Sequence, residues 1–443
     1  MSLTTSRLTV EKLQNSLQAK AKLEPSYRFY SLWDKVCRED VLREAYRRSR
    51  ANAGAPGVDG IDFDAIKAIG VEKWLGTLQE ELRSKTYAPQ PLLRVWIPKR
   101  NGGLRPLGIT TVKDRVVQTA MVLVLGAIFD ADLLPQQYGF RPNVDAKMAV
   151  RRAYYHIAQY GRRDVVDADL SDYFTTIPHG PLLRCVTRRV ADGTVLSVLK
   201  QWLTAPVCER AARGGLIRTT EARDQSRGTP QGNSASPLLA NLYFRRFLLA
   251  WYDHGHCARL DAHVVNYADD LVICCRPGNG EVALATMRRL MTKLGLTVND
   301  RKTRLACVPK ESFDFLGYTV GQFYGKGGRA FIGTEPSRKS LKRIIERIHD
   351  ETTSRWNFDS AEKRVTELNA ILRGWSGYFN QGRVTQTYWV IQKYTDQRLR
   401  RWLIRRQGKR GTGYRQYPNE YLYETLGLYR LPTSRAAVAQ AKA

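Results

Sequence analysis

Residues 264–275 read VVNYADDLVICC, and no other run in the chain restricts the fold as much. Val264, Val265, Tyr267, Val272 and Ile273 favour a pleated, half-buried strand, where aspartate is depleted. Asp269 and Asp270 therefore belong at the bend of a hairpin. Two adjacent carboxylates repel, and one tends to lose its charge unless a cation offsets it. In one reading the acids sit at a hydrated tip. In the other the tip holds Mg²⁺, and this requires partners elsewhere in the chain.

The first partner is Asp169, at the end of the strand-like DVVDADL (164–170). Strand alternation puts Asp167 and Asp169 on one face, with Val166, Ala168 and Leu170 on the other. Asp169 also suits the cap of a helix beginning in SDYF, so cap and ligand both stay open. Phosphoryl transfer asks for metals that clamp the attacking oxygen, the phosphates and the leaving group, and Mg²⁺ takes one or two carboxylates for that purpose. Between the two acidic segments lies GTPQGNSASPLLANLYF. Its glycines and prolines keep backbone open for close approach, and the helix start after Ser236-Pro237 can face an anion.

The charge balance names the partner class. The chain carries 71 Lys and Arg against 42 Asp and Glu, a net +29, which implies an anionic partner. No membrane contact is expected, because the longest apolar run, AMVLVLGAIF (120–129), is about half a spanning helix. Seven cysteines without CxxC spacing point to a reducing cytosol. The Asp253–Cys257 segment, DHGHC, lacks the paired spacing of a zinc site.

Along the chain, residues 7–50 read as basic and helical, and 51–60 as a loop. A short helix with Trp74 and Leu82 precedes a basic hairpin over 92–109, and helical periodicity returns at 114–128 and 145–158. Helices run on to about Leu203 and a turn-rich stretch follows. After the Asp-Asp hairpin, helix 281–295 leads to LTVNDRKTRLA and FDFLGYTV, both strand-like. This uneven alternation predicts an α+β fold with a mixed sheet backed by helices. From Glu335 onward the chain reads as three helices, with 22 Lys and Arg against 10 acids. RLRRWLIRRQGKR closes that segment. Arg398, Arg400, Arg401, Arg405, Arg406, Lys409 and Arg410 are its candidate nucleic-acid contacts, with Trp402 and Tyr414 placed to stack on unpaired bases.

The order IPKRNGGLRPLGI, YGFRP, DADLSDYF, GTPQGNSASPLLAN, YADD, GLTVNDRKT and FLGY, followed by GWSGYF, resembles the reverse transcriptases and maturases encoded by bacterial group II introns. The resemblance runs from about Tyr27 onward. It implies a right-hand polymerase: fingers and a palm with a mixed or antiparallel sheet over 61–333, then a helical thumb or X (maturase) domain over 334–410. A basic helical extension (1–60) would precede them. The tail, 411–443, would hold at most a minimal DNA-binding segment, without an HNH endonuclease domain. By the same resemblance Asp169, Asp269 and Asp270 are the catalytic, Mg²⁺-binding set. Lys99, Arg105, Gln231 and Arg141 surround the incoming dNTP, and Phe174 is the gate against a 2′-hydroxyl. Asp167 is left as a supporting residue. Many relatives read PQGG where Asn233 stands here.

The implied partners are group II intron RNA in a ribonucleoprotein, an RNA template with a DNA primer or target DNA, and dNTPs. The implied setting is the bacterial cytoplasm, at the chromosome or nucleoid. Splicing assistance and retrohoming by target-primed cDNA synthesis would follow. The alternatives are a related enzyme co-opted for host defence or DNA repair, an RNA-structural splicing cofactor with an idle polymerase site, and a viral-type RNA-dependent RNA polymerase. Phe174 and PQG oppose the last.

Overall fold

The computed structural model describes residues 3–98, 103–211, 215–325 and 327–432; Lys99 lies outside them. In chain order the described strands are β1 (Leu92–Pro98), β2 (Leu104–Ile109), β3 (Asp164–Asp169), β4 (Val207–Arg210), β5 (Leu216–Thr219) and β6 (Ala262–Tyr267). They continue with β7 (Asp270–Cys275), β8 (Arg304–Cys307), β9 (Phe313–Phe315), β10 (Tyr318–Tyr324) and β11 (Ala330–Pro336).

The central sheet has the order β6-β7-β3-β8, and every pair in it is antiparallel. Its strands are apolar on both faces because both faces are covered. Val166, Val264, Leu271 and Ile273 belong to the main helical core. Val165, Val265, Val272 and Cys274 instead pack with helix Ala146–Ala158 and with β9 and β10. The helix Val112–Asp130 carries the AMVLVLGAIF run. It is apolar nearly all round and accordingly lies buried, packed beside the helix Leu3–Leu23. Among the described residues no helix is long and apolar enough to cross a membrane.

A second sheet, β2-β1-β4-β5, stands beside the first. Strands β4 and β5 were not expected from the sequence. Each has four residues, β4 ends in Glu209-Arg210, and β5 exposes Leu216 and Ile217. Four-residue strands, one of them the sheet's edge, carry little hydrophobic alternation to read. Two further expectations need correcting. LTVNDRKTRLA is strand only at Arg304–Cys307; residues 299–303 form a turn anchored by the Asn299 amide donating to the Asp169 carbonyl at 2.8 Å. The boundary expected at 334 falls inside β11, which pairs with β10 as far as Pro336.

Helix Arg338–Asp350 starts after Ser337, whose hydroxyl accepts from the Ser340 amide as an N-cap. With helices Ala361–Tyr378 and Thr385–Arg406 it surrounds Ile344, Leu368, Leu372, Ile391 and Leu399. Tyr417, Leu422, Leu428 and Leu431 sit in that same core. The described part of the expected tail therefore closes the helical domain and is not a separate segment.

Candidate active site

The acidic hairpin is a two-residue turn. Tyr267 pairs with Asp270, leaving Ala268 and Asp269 at the bend. Ala268 has φ +57°, a position that hairpins of this kind normally give to glycine. The surroundings hold that strained residue. Asn266 is fully buried, and its Nδ2 donates to the Ala268 carbonyl at 2.8 Å and the Asp270 carbonyl at 3.3 Å. Gly139 lies so close that a Cβ there would meet the Ala268 nitrogen at 2.6 Å. Its carbonyl is in turn held by Asn241 Nδ2 at 2.6 Å. Backbone strain kept in place by its neighbours is common where chemistry occurs.

Asp169 and Asp270 are direct partners across β3 and β7, so their side chains share a face. Asp169 and Asp269, 100 positions apart, line one cavity of about 590 Å³ together with Arg105, Phe174, Gln231 and Lys302. The acids are short of positive charge. Burial, helped by Asp269 and Asp169, pushes Asp270 up to about 7. Burial, with repulsion from Asp169, also raises Asp269, against the pull of Arg105 and Lys302. Asp167 is pushed up to about 6 by burial, opposed by Arg304 at 3.5 Å.

These positions refine the expected acidic set. Asp270 does not line the cavity, and among the described residues no three acidic, His or Cys side chains close a ready-made metal cage. Asp270 lies directly across the strand pair from Asp169, while Asp169 and Asp269 are the carboxylates in the cavity lining. Two still fit Mg²⁺, which is commonly held by one or two carboxylates with substrate phosphates completing its shell. Lys302 Nζ, 2.9 Å from Asp169 Oδ2, places a cation against this pair, and Asn299 Nδ2 reaches the same oxygen at 3.1 Å. Neither residue was singled out from the sequence. They belong to the NDRKT run, but nothing local announces a contact across 130 positions.

Arg105 stands exposed on β2 at the cavity wall. Phe174 packs edge-on against Phe140, with ring centroids 6.4 Å apart, and its carbonyl accepts from the Thr229 amide. The PQG loop is seated on β2: the Gly108 amide donates to the Gln231 carbonyl at 2.7 Å. Gly232 has φ +105°, and a Cβ there would meet the Gly108 oxygen at 2.6 Å. Asn233 is buried, and its Oδ1 accepts from the Ala235 amide at 2.8 Å, leading the chain into helix Ser236–Asp253.

Arg141 is not placed as expected. Its Nε binds Asp130 Oδ1 at 2.8 Å, and its Nη1 donates to the carbonyls of Leu134 and Gln137. The guanidinium fastens a loop and does not line the cavity.

The basic C-terminal run also divides. Arg401, Arg405, Arg406, Lys409 and Arg410 are exposed. Arg398 and Arg400 are buried and engaged: Arg398 donates to Thr352 Oγ1 and to the carbonyls of His349 and Thr352, and Arg400 to the Tyr417 carbonyl and Asn419. Trp402 is fully buried and cannot stack on a base, whereas Tyr414 is exposed. Helical periodicity turns these positions inward, and a count of charges does not record it. Arg398→Ala is therefore expected to destabilise the helical domain by about 1–3 kcal/mol, since it strands buried carbonyls. Arg405→Ala should leave the melting temperature unchanged and lower the salt dependence of RNA binding. Thermal melts and salt titrations of the two variants separate these outcomes.

An antiparallel sheet presenting paired carboxylates, a cationic hairpin and an open nucleotide-sized cleft defines a nucleotidyl-transferring polymerase. Residues 97–320 match the model for reverse transcriptase (RNA-dependent DNA polymerase), and residues 341–418 match the group II intron maturase-specific domain. The chain belongs to the group II intron type of reverse transcriptase, an RNA-directed DNA polymerase with a maturase domain. It is similar to protein YkfC of Escherichia coli K12, 32% identical over 75% of this chain and 94% of YkfC. It is also similar to the group II intron-encoded protein LtrA of Lactococcus lactis, 30% identical over 48% of this chain. The COX1/OXI3 intron 1 protein of Saccharomyces cerevisiae is 24% identical over 80% of this chain. The matches span 34% of LtrA and 51% of the yeast protein. Reverse transcriptases work with divalent metal ions.

Proposed function

We propose that the chain copies an RNA template into DNA at the Asp169–Asp269 cleft with Mg²⁺, and that it binds a group II intron RNA to assist splicing and retrohoming. The observation that carries this reading is the meeting of Asp169, Asp269, Arg105, Phe174 and Gln231 in one cavity wall. Asp169 and Asp269 are the residues that would hold the metal, with Asp270 as the cross-strand neighbour of Asp169. Bound there, Mg²⁺ supplies charge neutralisation at the phosphates and favours ionisation of the attacking hydroxyl. Arg105, together with Lys99, grips the triphosphate; a guanidinium fork suits its oxygens. Gln231, fixed by its own carbonyl on β2, backs the sugar.

Phe174 excludes a ribose by occupying the space its 2′-hydroxyl needs. Phe174→Ala is expected to relax the preference for dNTPs over NTPs by about tenfold or more, a steric difference of at least about 1.4 kcal/mol. Primer extension on an RNA template with each nucleotide set measures it, and unchanged selectivity removes the assignment. The exposed basic residues 401–410 would contact intron phosphates, and bound RNA would stabilise the ribozyme fold by preferential binding. The protein would act in the bacterial cytoplasm and reach the chromosome with its RNA. Recovery and sequencing of RNA bound to the protein in its host tests the partner; absence of group II intron sequence would count against it.

A further inference from the structure

The far half of helix Ser236–Asp253 borders a second basic cavity. It encloses about 350 Å³ and is lined by Arg188, Arg189, Arg245 and Arg246, with Asp132 as the acid in its described wall. It shares no lining residue with the polymerase cleft. Arg245 lies eight residues beyond Pro237 of that cleft, about 12 Å along the helix axis. Pro25 and Ser26 of the N-terminal segment close one side, and Leu242 and Leu249 supply apolar wall.

The arginines do different work. Arg189 is buried; it donates to the carbonyls of Ala21, Glu24 and Tyr27 and faces Asp132 Oδ2 at 3.2 Å. Arg245 Nε donates to the Asp132 carbonyl at 2.6 Å. These two build the wall. Among the described residues Arg188 makes no side-chain hydrogen bond or ion pair, and Arg246 reaches the Tyr243 hydroxyl at 3.3 Å. Four guanidinium groups stand around one carboxylate, from the buried Arg189 to the exposed Arg188, and leave an excess of positive charge that favours an anion. Burial, with the charge of Arg188, already pushes Arg245 below its ordinary range.

We infer that this cavity binds a phosphoryl group, apart from the polymerase cleft, through the Arg188 and Arg246 guanidinium groups. Forked, always-charged donors match phosphate oxygens better than any other side chain. The volume lies at the lower end of the range for ligand pockets, about 300–1,000 Å³, which suits a phosphate with or without its sugar. The phosphoryl group can come from an RNA backbone or from free phosphate. Either would tie the N-terminal segment to the helices behind the catalytic sheet.

The test compares the full chain with Arg188→Gln/Arg246→Gln, a pair chosen because neither side chain holds backbone. In thermal melts at matched ionic strength, inorganic phosphate should raise the parent's midpoint above that in chloride, and the double variant should lose the increment. Binding of a labelled structured RNA is then followed against salt. Loss of the phosphate increment with a salt slope lowered by about 0.7–0.9 per contact assigns the site to an RNA phosphodiester. Loss with an unchanged slope assigns it to free phosphate. An increment equal in both proteins, or absent from the parent, overturns the inference. If the double variant melts early in chloride, the exposed single change Arg188→Gln replaces it under the same criteria. Primer extension on a generic primer–template should be unaltered throughout, which keeps failure here distinct from failure of the polymerase reading.

Discussion

Asp269→Asn is expected to abolish cDNA synthesis, by at least about a thousandfold, while leaving the fold and RNA binding intact. Asparagine keeps the size of the side chain and the strained turn at Ala268–Asp269, so the hairpin has no reason to rearrange. What disappears is one of the two carboxylates facing the cleft. Without it the phosphates and the attacking hydroxyl lose the charge-balanced site that the chemistry needs. Splicing assistance should survive, because the helical domain matched to the maturase family has its own core, built on Leu368, Leu372 and Leu399. Primer extension and a splicing assay on the same preparation measure both. Equal loss of splicing in a variant that melts normally would refute the division of labour between the two regions.

The second large effect concerns stability. Asp270 keeps its proton up to about 7 in the folded, metal-free chain, against 3.8 for the ordinary side chain. Between those values the folded state binds a proton that the unfolded state has released, so this group lowers stability as pH rises from about 4 to 7. Above 7 the full penalty stands. Asp270→Asn removes it, and the variant should exceed the parent by about 2 kcal/mol or more at pH 8 in chelator, several degrees in melting temperature. The gap should shrink below pH 7 and close near pH 4. Added Mg²⁺ should narrow it at pH 8, because the parent regains the charge compensation that the variant does not need. A variant less stable than the parent at pH 8 would show that Asp270 is held by contacts that favour its charge.

Much of this architecture was legible in the sequence because it rests on local chemistry. The YADD turn, the DVVDADL strand, the apolar helix over 114–128 and the basic helical end are periodicity and turn signals that survive without neighbours. What failed depended on neighbours. Strands β4 and β5 are too short and too charged to declare themselves; β4 exists because β1 offers it an edge, and β5 because β4 does. Arg141 looked like a nucleotide ligand until Asp130 took its guanidinium.

The amino-acid order alone determined which residue types could meet a metal and a phosphate, because carboxylates and guanidiniums keep their chemistry wherever they fall. Only the tertiary structure decided which of them face the same space. It set Asp169 and Asp269 into one cleft, put Lys302 on Asp169, and turned Arg398, Arg400 and Trp402 into the core. Direction and burial come from packing between segments far apart in the chain, and a linear pattern holds no record of that distance.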